Sequence, residues 1–270
     1  MRKQKGIDMK NLLTAFVSLT VPLISFAAPG WSVTPIQDRP MTMPGTLFHS
    51  VDPQERFRPA DAYPASLNVF LIRDESGGRC ALIDAGYGRA DSRLLPELAR
   101  LGVKPEDISA VFITHIHPDH VGGLTAPDGK AAFPAAEVCI ARKEYEAWRR
   151  DPARAGLARH LEPVGKNLVL LDYDAPVAPY GLVPLCFPGH TPGHTVFRMR
   201  LETGQGAENI HFVGDIVHAA ELQIPRPEFC ARFDMDVDTA VKSRRELLNG
   251  AAVWYGAHLP FPGIVRIERK

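Results

Sequence analysis

The chain has 270 residues, 45% of them hydrophobic, and its 31 lysines and arginines balance 31 aspartates and glutamates to a formal net charge of zero. That length and apolar content suffice for one large core. The missing basic excess argues against a nucleic-acid partner, which needs a positive field to meet phosphate. Four scattered cysteines, Cys80, Cys139, Cys186 and Cys230, form no CxxC pair and so no zinc ribbon.

Residues 1–28 read as a secretory signal peptide. Lys10 precedes an apolar run from Leu12 to Ala28, and Ser25-Phe26-Ala27 makes a small-x-Ala exit, so cleavage is expected after Ala27 or Ala28. Thr, Ser and Pro interrupt that short run, which disfavours a stable membrane span after cleavage. The expected location is periplasmic or secreted, and Met9 is a second candidate start. Export makes a disulfide chemically accessible; four buried free thiols are the alternative. Residues 29–64 carry Pro35, Pro40, Pro44, Pro53, Pro59 and Pro64 and read as an extended arm wrapping the domain, a strap first and a border of the active-site mouth second. His49 and Phe57 are the residues there best suited to meet a substrate. The domain proper is expected over 65–270.

Leu67–Ile72 and Cys80–Ile83 read as a β-hairpin around the Asp74–Gly78 turn, and Asp84-Ala85-Gly86 follows the second strand. Ser92 to Leu101 has helical spacing, with Leu94, Leu95, Leu98 and Leu101 on one face. Pro105-Glu106-Asp107 opens a short helix. The apolar run Val111-Phe112-Ile113 is a buried strand, and Thr114-His115-Ile116-His117-Pro118-Asp119-His120 follows at its end. Three histidines and one aspartate within six positions mark a metal site. His115 and His117 are two apart, so in extended backbone they project to one side and can share an ion. Pro118 ends strand pairing and turns Asp119 and His120 toward a second ion. Gly122-Gly123 lets backbone pass close by. Imidazole with carboxylate suits Zn²⁺ and its first-row neighbours.

Further along, Ala136–Ile140 reads as a strand and Lys143–Arg150 as a charged helix whose arginines are solvated. Residues 151–165 read as a loop or short helix carrying an exposed His160, with Trp148, Leu157 and Leu161 as candidates for an apolar pocket wall. Val183–Phe187, Ile210–Val213 and Val253–Gly256 read as strands. Asp238–Asn249 reads as a helix with an aspartate N-cap and Gly250 as its stop.

The run Thr114–Gly123 resembles the HxHxDH signature of the metallo-β-lactamase superfamily. Three further stretches resemble that family in its order: Phe187–Thr195 its PGHTPGH element, Phe212-Val213-Gly214-Asp215 its strand-end GD, and Gly256–Gly263 the final ligand segment of its lactonase and methyl-parathion-hydrolase-like branch. Together they cover roughly residues 66 to 267. The resemblance implies an α/β fold, an αββα sandwich of two mixed sheets flanked by helices. It implies that His115, His117 and His190 hold one divalent ion, that Asp119, His120 and His258 hold the other, and that Asp215 bridges them. The ions are expected to be zinc, with manganese, iron or cobalt as other occupants.

The same resemblance makes Asp84 a residue that orients a ligand, and His194 a packing residue behind the site. It makes Asp119 a catalytic group that orients the nucleophile. His218 stands where acyl-homoserine lactonases often carry a tyrosine, and is a second candidate catalytic residue. The implied activity is hydrolysis of a lactone or other carboxylic ester by a metal-bridging hydroxide, with phosphotriester hydrolysis as the alternative. β-Lactam cleavage, glyoxalase-type thioester hydrolysis and a non-catalytic metal-binding module follow behind. The expected partner is a small-molecule substrate, and a homodimer is kept open.

Overall fold

The computed structural model describes residues 30–52, 54–55, 60–154, 159–203 and 206–268. The signal-peptide reading and the start at Met9 lie outside the described residues, as do Phe57 and Leu157. The first half of the chain forms β1 (Trp31–Pro44), β2 (Phe48–Ser50), β3 (Ala62–Asp74), β4 (Cys80–Ile83), α1 (Leu94–Arg100), β5 (Ile108–Ile113), the one-turn helix α2 (Pro118–Val121), β6 (Glu137–Ala141), α3 (Arg142–Arg150) and β7 (Leu168–Leu171). The second half adds β8 (Val183–Cys186), β9 (Thr195–Thr203), β10 (Gly206–Gly214), α4 (Ala220–Gln223), β11 (Phe229–Ala231), α5 (Val237–Leu248), β12 (Ala252–Gly256) and β13 (Ile264–Ile267).

These strands make a six-stranded sheet in the order β1-β3-β4-β5-β6-β7, a five-stranded sheet in the order β13-β12-β10-β9-β8, and a small β11-β2 pair. Both large sheets are mixed. β4 through β7 run parallel, as do β10 and β12, and the remaining pairings are antiparallel.

The apolar runs of the central strands follow from burial on both faces. On β5, Val111 and Ile113 pack outward with Leu94, Leu98 and Trp148. Ala110 and Phe112 point inward, where they meet Phe197, Phe212 and Tyr255 of the other sheet. The rings interlock edge to face, with Phe112 and Phe197 centred 5.5 Å apart and Phe70 and Tyr255 5.3 Å apart. On the far side of the second sheet, Val196, Val213 and Trp254 pack against Leu247 and Leu248 of α5. Helix, sheet, sheet and helix thus lie in four layers, the αββα sandwich that the resemblance implied.

The segment read as a wrapping arm is part of the sheet. β1 pairs antiparallel with β3 from Trp31↔Asp74 to Pro44↔Ala62, and residue 65 falls inside β3. Its prolines misled because β1 is an edge strand, where a missing N–H can face away from the ladder. α1 starts at Leu94 and turns Leu95 out to 41% exposure, so only Leu94 and Leu98 of the expected face are buried. α5 starts one residue earlier than expected, and Asp236 caps it by accepting from Thr239 N at 3.0 Å.

All four cysteines are free. Burial pushes the Cys139 and Cys230 thiols up to about 12, which leaves them inert packing groups. Among the described residues no helix is long and apolar enough to cross a membrane.

Candidate metal centre

Five strands end at the same edge of the sandwich, and their C-terminal extensions converge there. Thr114 follows β5, Asp84 follows β4, and His190, Asp215 and His258 lie beyond β8, β10 and β12. A hydrogen bond from Thr195 N to Thr114 O (2.9 Å) ties the two sheets at this point. His115 Nε2 lies 2.9 Å from His117 Nδ1, and that nitrogen lies 2.9 Å from His190 Nε2. Pro118 starts α2, and the turn it makes carries Asp119 and His120 round to the neighbouring position. There Asp119 Oδ2 lies 3.3 Å from His258 Nε2 and 3.9 Å from His120 Nε2.

Asp215 stands between the two groups. Its Oδ2 is 3.3 Å from His190 Nε2, 3.2 Å from His258 Nε2, 3.1 Å from His218 Nε2 and 3.7 Å from His115 Nε2. Two sets therefore offer one ligand atom each within 4.8 Å of one another: His115, His117, His190 and Asp215, and then Asp119, His120 and His258. His218 falls within the same reach of Asp215 and His258, and of His190 with Asp234. Two buried atoms test whether a cation fits. Asp215 Oδ1 and His120 Nε2 lie 3.2 Å apart, yet neither has a hydrogen-bond partner among the described residues. A buried acceptor left in this way is costly unless something else meets it, and a divalent ion held here would meet both atoms.

The rings are held from behind. His120 Nδ1 lies 2.8 Å from Asp84 Oδ2, and Asp84 also accepts from Thr114 N at 2.8 Å and from the Thr114 hydroxyl. Asp84 has φ +61°, a conformation costing about 1–2 kcal/mol for a residue with a Cβ, and these bonds offset it. The expected orienting role of Asp84 is what this geometry provides. His190 Nδ1 lies 2.9 Å from Asp234 Oδ1, and His258 Nδ1 lies 3.1 Å from Ser66 O. His194 packs behind, its Nε2 accepting from Asp215 N at 3.0 Å. Two glycines leave room for this. A Cβ on Gly123 would sit 1.9 Å from Ala85 O, and one on Gly214 (φ +50°) would sit 2.7 Å from His194 Nε2.

Three supporting residues escaped sequence reading. Glu144, fully buried on the charged helix whose arginines read as solvated, accepts from Ile116 N (3.0 Å), Trp148 Nε1 (2.6 Å), Thr191 Oγ1 (2.9 Å) and Gly193 N (2.8 Å). It clamps the loop after β5 to the loop after β8. Its one signal was the i,i+4 spacing to Trp148, which puts it on the buried face. Asp234 and Arg244 lie far from every motif, and only the folded chain brings them to His190.

The electrostatics split the histidines. Burial and the neighbouring imidazoles hold His115 well below the usual range, and burial with His190 beside it takes His117 down to about 3. Burial also disfavours charge on His190 and His258, but the carboxylates outweigh it: Asp215 and Asp234 carry His190 up to about 9, and Asp215 and Asp119 carry His258 up to about 10. An ion entering between these groups must displace their protons, so affinity for it falls as pH falls.

The centre forms the floor of a cavity of about 390 Å³ whose wall includes Met41, Met43, Leu47, Leu67, Tyr87 and Phe233. β1, expected as a strap, builds much of this wall. A bulge there turns Asp38 inward, where it accepts from Tyr87 N (3.1 Å) and Leu94 N (3.0 Å) and so fixes the Tyr87 loop. His218 and Asp119, the two candidate catalytic residues, line the cavity. Trp148 and Leu161 do not; they are 2% and 4% exposed and belong to the outer core, with Trp148 packed 5.5 Å from the His117 ring. His49 lies exposed on β2 outside the wall, and half-buried His160 borders a neighbouring groove.

A sequence profile described as the metallo-beta-lactamase superfamily matches residues 62–258, and the chain belongs to that superfamily. It is 34% identical over 106 residues to an N-acyl homoserine lactonase of Bacillus cereus, a match covering 38% of each chain. It is 32% identical over 169 residues to a hydroxyacylglutathione hydrolase of Pseudomonas entomophila (strain L48), covering 59% of this chain and 52% of that one. The chain thus spans about two fifths to one half of the length of these curated relatives. Among solved structures, hydrolase AbOPH of the beta lactamase superfamily superposes with a TM-score of 0.74 at 28% identity, over 89% of this chain and 91% of that one. AidC, a dizinc quorum-quenching lactonase in complex with the product N-hexnoyl-L-homoserine, superposes with the same TM-score at 24% identity and the same coverage, a likeness of fold.

Glu144→Ala leaves four buried donors without their acceptor. Urea denaturation should show a loss of about 2–4 kcal/mol; an unchanged midpoint would exclude the clamp.

Proposed function

We propose that this chain is an exported, dinuclear metal-dependent hydrolase that opens a lactone or another carboxylic ester. The observation that carries the reading is the convergence of His115 Nε2, His117 Nδ1 and His190 Nε2 at 2.9 Å spacings beside a second set of ligand atoms, on the floor of an apolar-walled cavity. His115, His117 and His190 hold one ion, Asp119, His120 and His258 the other, and Asp215 both. Zinc suits this donor set, as do manganese, iron and cobalt. A bound pair of such ions supplies a water that ionises near pH 7 and polarises the substrate carbonyl.

The chain's own residues do the rest. Asp119 keeps 29% side-chain exposure at the cavity floor, so its carboxylate can orient the attacking water and take up its proton. His218 lies in the wall, stacked on His258 with ring centres 5.1 Å apart. Its main-chain N–H is fixed by Gln223 Oε1 (2.7 Å), and its Nδ1 is buried without a partner among the described residues. Its Nε2 faces Asp215 Oδ2 at 3.1 Å, and it is this nitrogen that we assign to a substrate oxygen. Met41 and Phe233, the last 44% exposed, offer surface to an acyl chain.

Thioester hydrolysis is the second reading, favoured by the longer match to a hydroxyacylglutathione hydrolase. Arg39, the cation in the wall, is already paired with Asp91 at 2.8 Å, which suits an uncharged acyl chain better than an anionic thiol carrier. Export rests on the charged, apolar and small-residue order of residues 10–28.

The zinc-loaded protein should release protons on opening a long-chain acyl-homoserine lactone, and a chelator should abolish the release. Turnover of a glutathione thioester or a paraoxon-type phosphotriester, with silence on the lactone, would move the substrate elsewhere. His218→Ala should lower kcat by about tenfold or more with metal content unchanged; lost metal would make His218 a ligand instead. N-terminal sequencing of the chain recovered from a periplasmic extract should begin at Ala28 or Pro29, and a retained Met1 or Met9 would refute export by cleavage.

A further inference from the structure

Arg244 lies on α5, between Val241 and Leu247 on the helix's buried side, and is 1% exposed. Packing alone would be served there by an aliphatic residue, because burying a guanidinium costs several kcal/mol unless its donors are met. Here each is met. Nε donates to Ile216 O (2.7 Å), Nη1 to Pro227 O (2.8 Å) and Phe229 O (2.7 Å), and Nη2 faces Asp234 Oδ2 at 3.4 Å.

The acceptors are not scattered. All lie in the excursion between β10 and α5, the stretch that also brings His218 and Phe233 to the cavity. Ile216 directly follows Asp215, whose own N–H is held by His194, so Asp215 is pinned on both sides. Asp234 turns its other oxygen, Oδ1, to His190 Nδ1 at 2.9 Å. A proton on Nδ1 leaves the Nε2 lone pair aimed at His117 and Asp215.

Taking the two-metal reading as its basis, we infer that Arg244 is a positioning residue for one of the two metal positions: its guanidinium locks the Asp234–His190 pair and the turn after Asp215 into a single arrangement. Among the described residues the other position is backed from different elements. His120 is backed by Asp84 from β4, and His258 by Ser66 O from β3. Loss of Arg244 therefore acts most on the His115–His117–His190 position, through Asp234 and His190, and reaches the Asp119–His120–His258 position only through the shared Asp215.

The test is a Co²⁺ titration of the full chain, following the absorption spectrum, with Zn²⁺ affinities taken from chelator competition. Wild type should bind two ions. Arg244→Met and Asp234→Asn should each weaken one ion by about 10–100-fold, weaken the other several-fold less, and alter the Co²⁺ spectrum of the weakened position. The double variant should be little worse than either single one, because both act through the same ring. If Arg244→Met does not fold, Asp234→Asn, which keeps the side-chain volume, decides. A lowered melting temperature with both affinities intact would make Arg244 a structural plug and overturn the inference, as would equal weakening of both ions. A wild-type chain that takes up no ion would sink the two-metal reading itself and this inference with it.

Discussion

The carboxylate of Asp215 is the constraint around which the rest of the molecule is arranged. It is 2% exposed and lies within 3.7 Å of the imidazoles of His115, His120, His190, His218 and His258. Burial alone would drive this group toward its neutral form, but the surrounding rings hold it well below the usual carboxylate range. One charge surrounded by five rings is a stable arrangement only where the rings cannot turn away and where a cation can share the space. Both conditions are matters of fold.

The fold meets the first condition by ending strands of two sheets at one edge. The rings arrive on short connections from buried strands, so their freedom is small. Three of them are then stopped from rotating by a different group behind each: Asp84 for His120, Asp234 for His190, Ser66 O for His258. Glu144 joins the two loops carrying His117 and His190, and Gly123 and Gly214 allow an approach that a Cβ would block. The second condition is met at the cavity floor, where Asp119 and His117 keep some exposure while their partners are covered.

Particular stretches show why some of this was legible and some not. The loop after β5 packs four ligand-type side chains into six residues, and i,i+2 projection from extended backbone is a local property, so His115 and His117 could be paired on paper. His190, Asp215 and His258 carry little local signal; they were placed through resemblance to a family whose order of motifs this chain repeats. Trp148 and Leu161 were misplaced because an apolar residue near a site is equally fit for the core, and only packing decides. β1 was read as a strap because proline density hides an edge strand. Glu144, Asp234 and Arg244 were missed because a buried charge looks like a surface charge until its partners, distant in sequence, come to meet it.

By itself, then, the sequence determined the central strands with their apolar runs and a metal-ligating cluster at the end of one of them, while the layered α/β class came through the family resemblance. Periodicity and short-range chemistry suffice for the strands and the cluster, since neighbours along the chain are neighbours in space. Tertiary structure alone decided which ring nitrogen faces the site, which carboxylates stand behind the rings, and that the amino-terminal strand walls the cavity. Those properties depend on contacts such as Asp234 with His190 or Ser66 with His258. Such contacts are set by how strands and helices pack, and no local pattern in the chain encodes them.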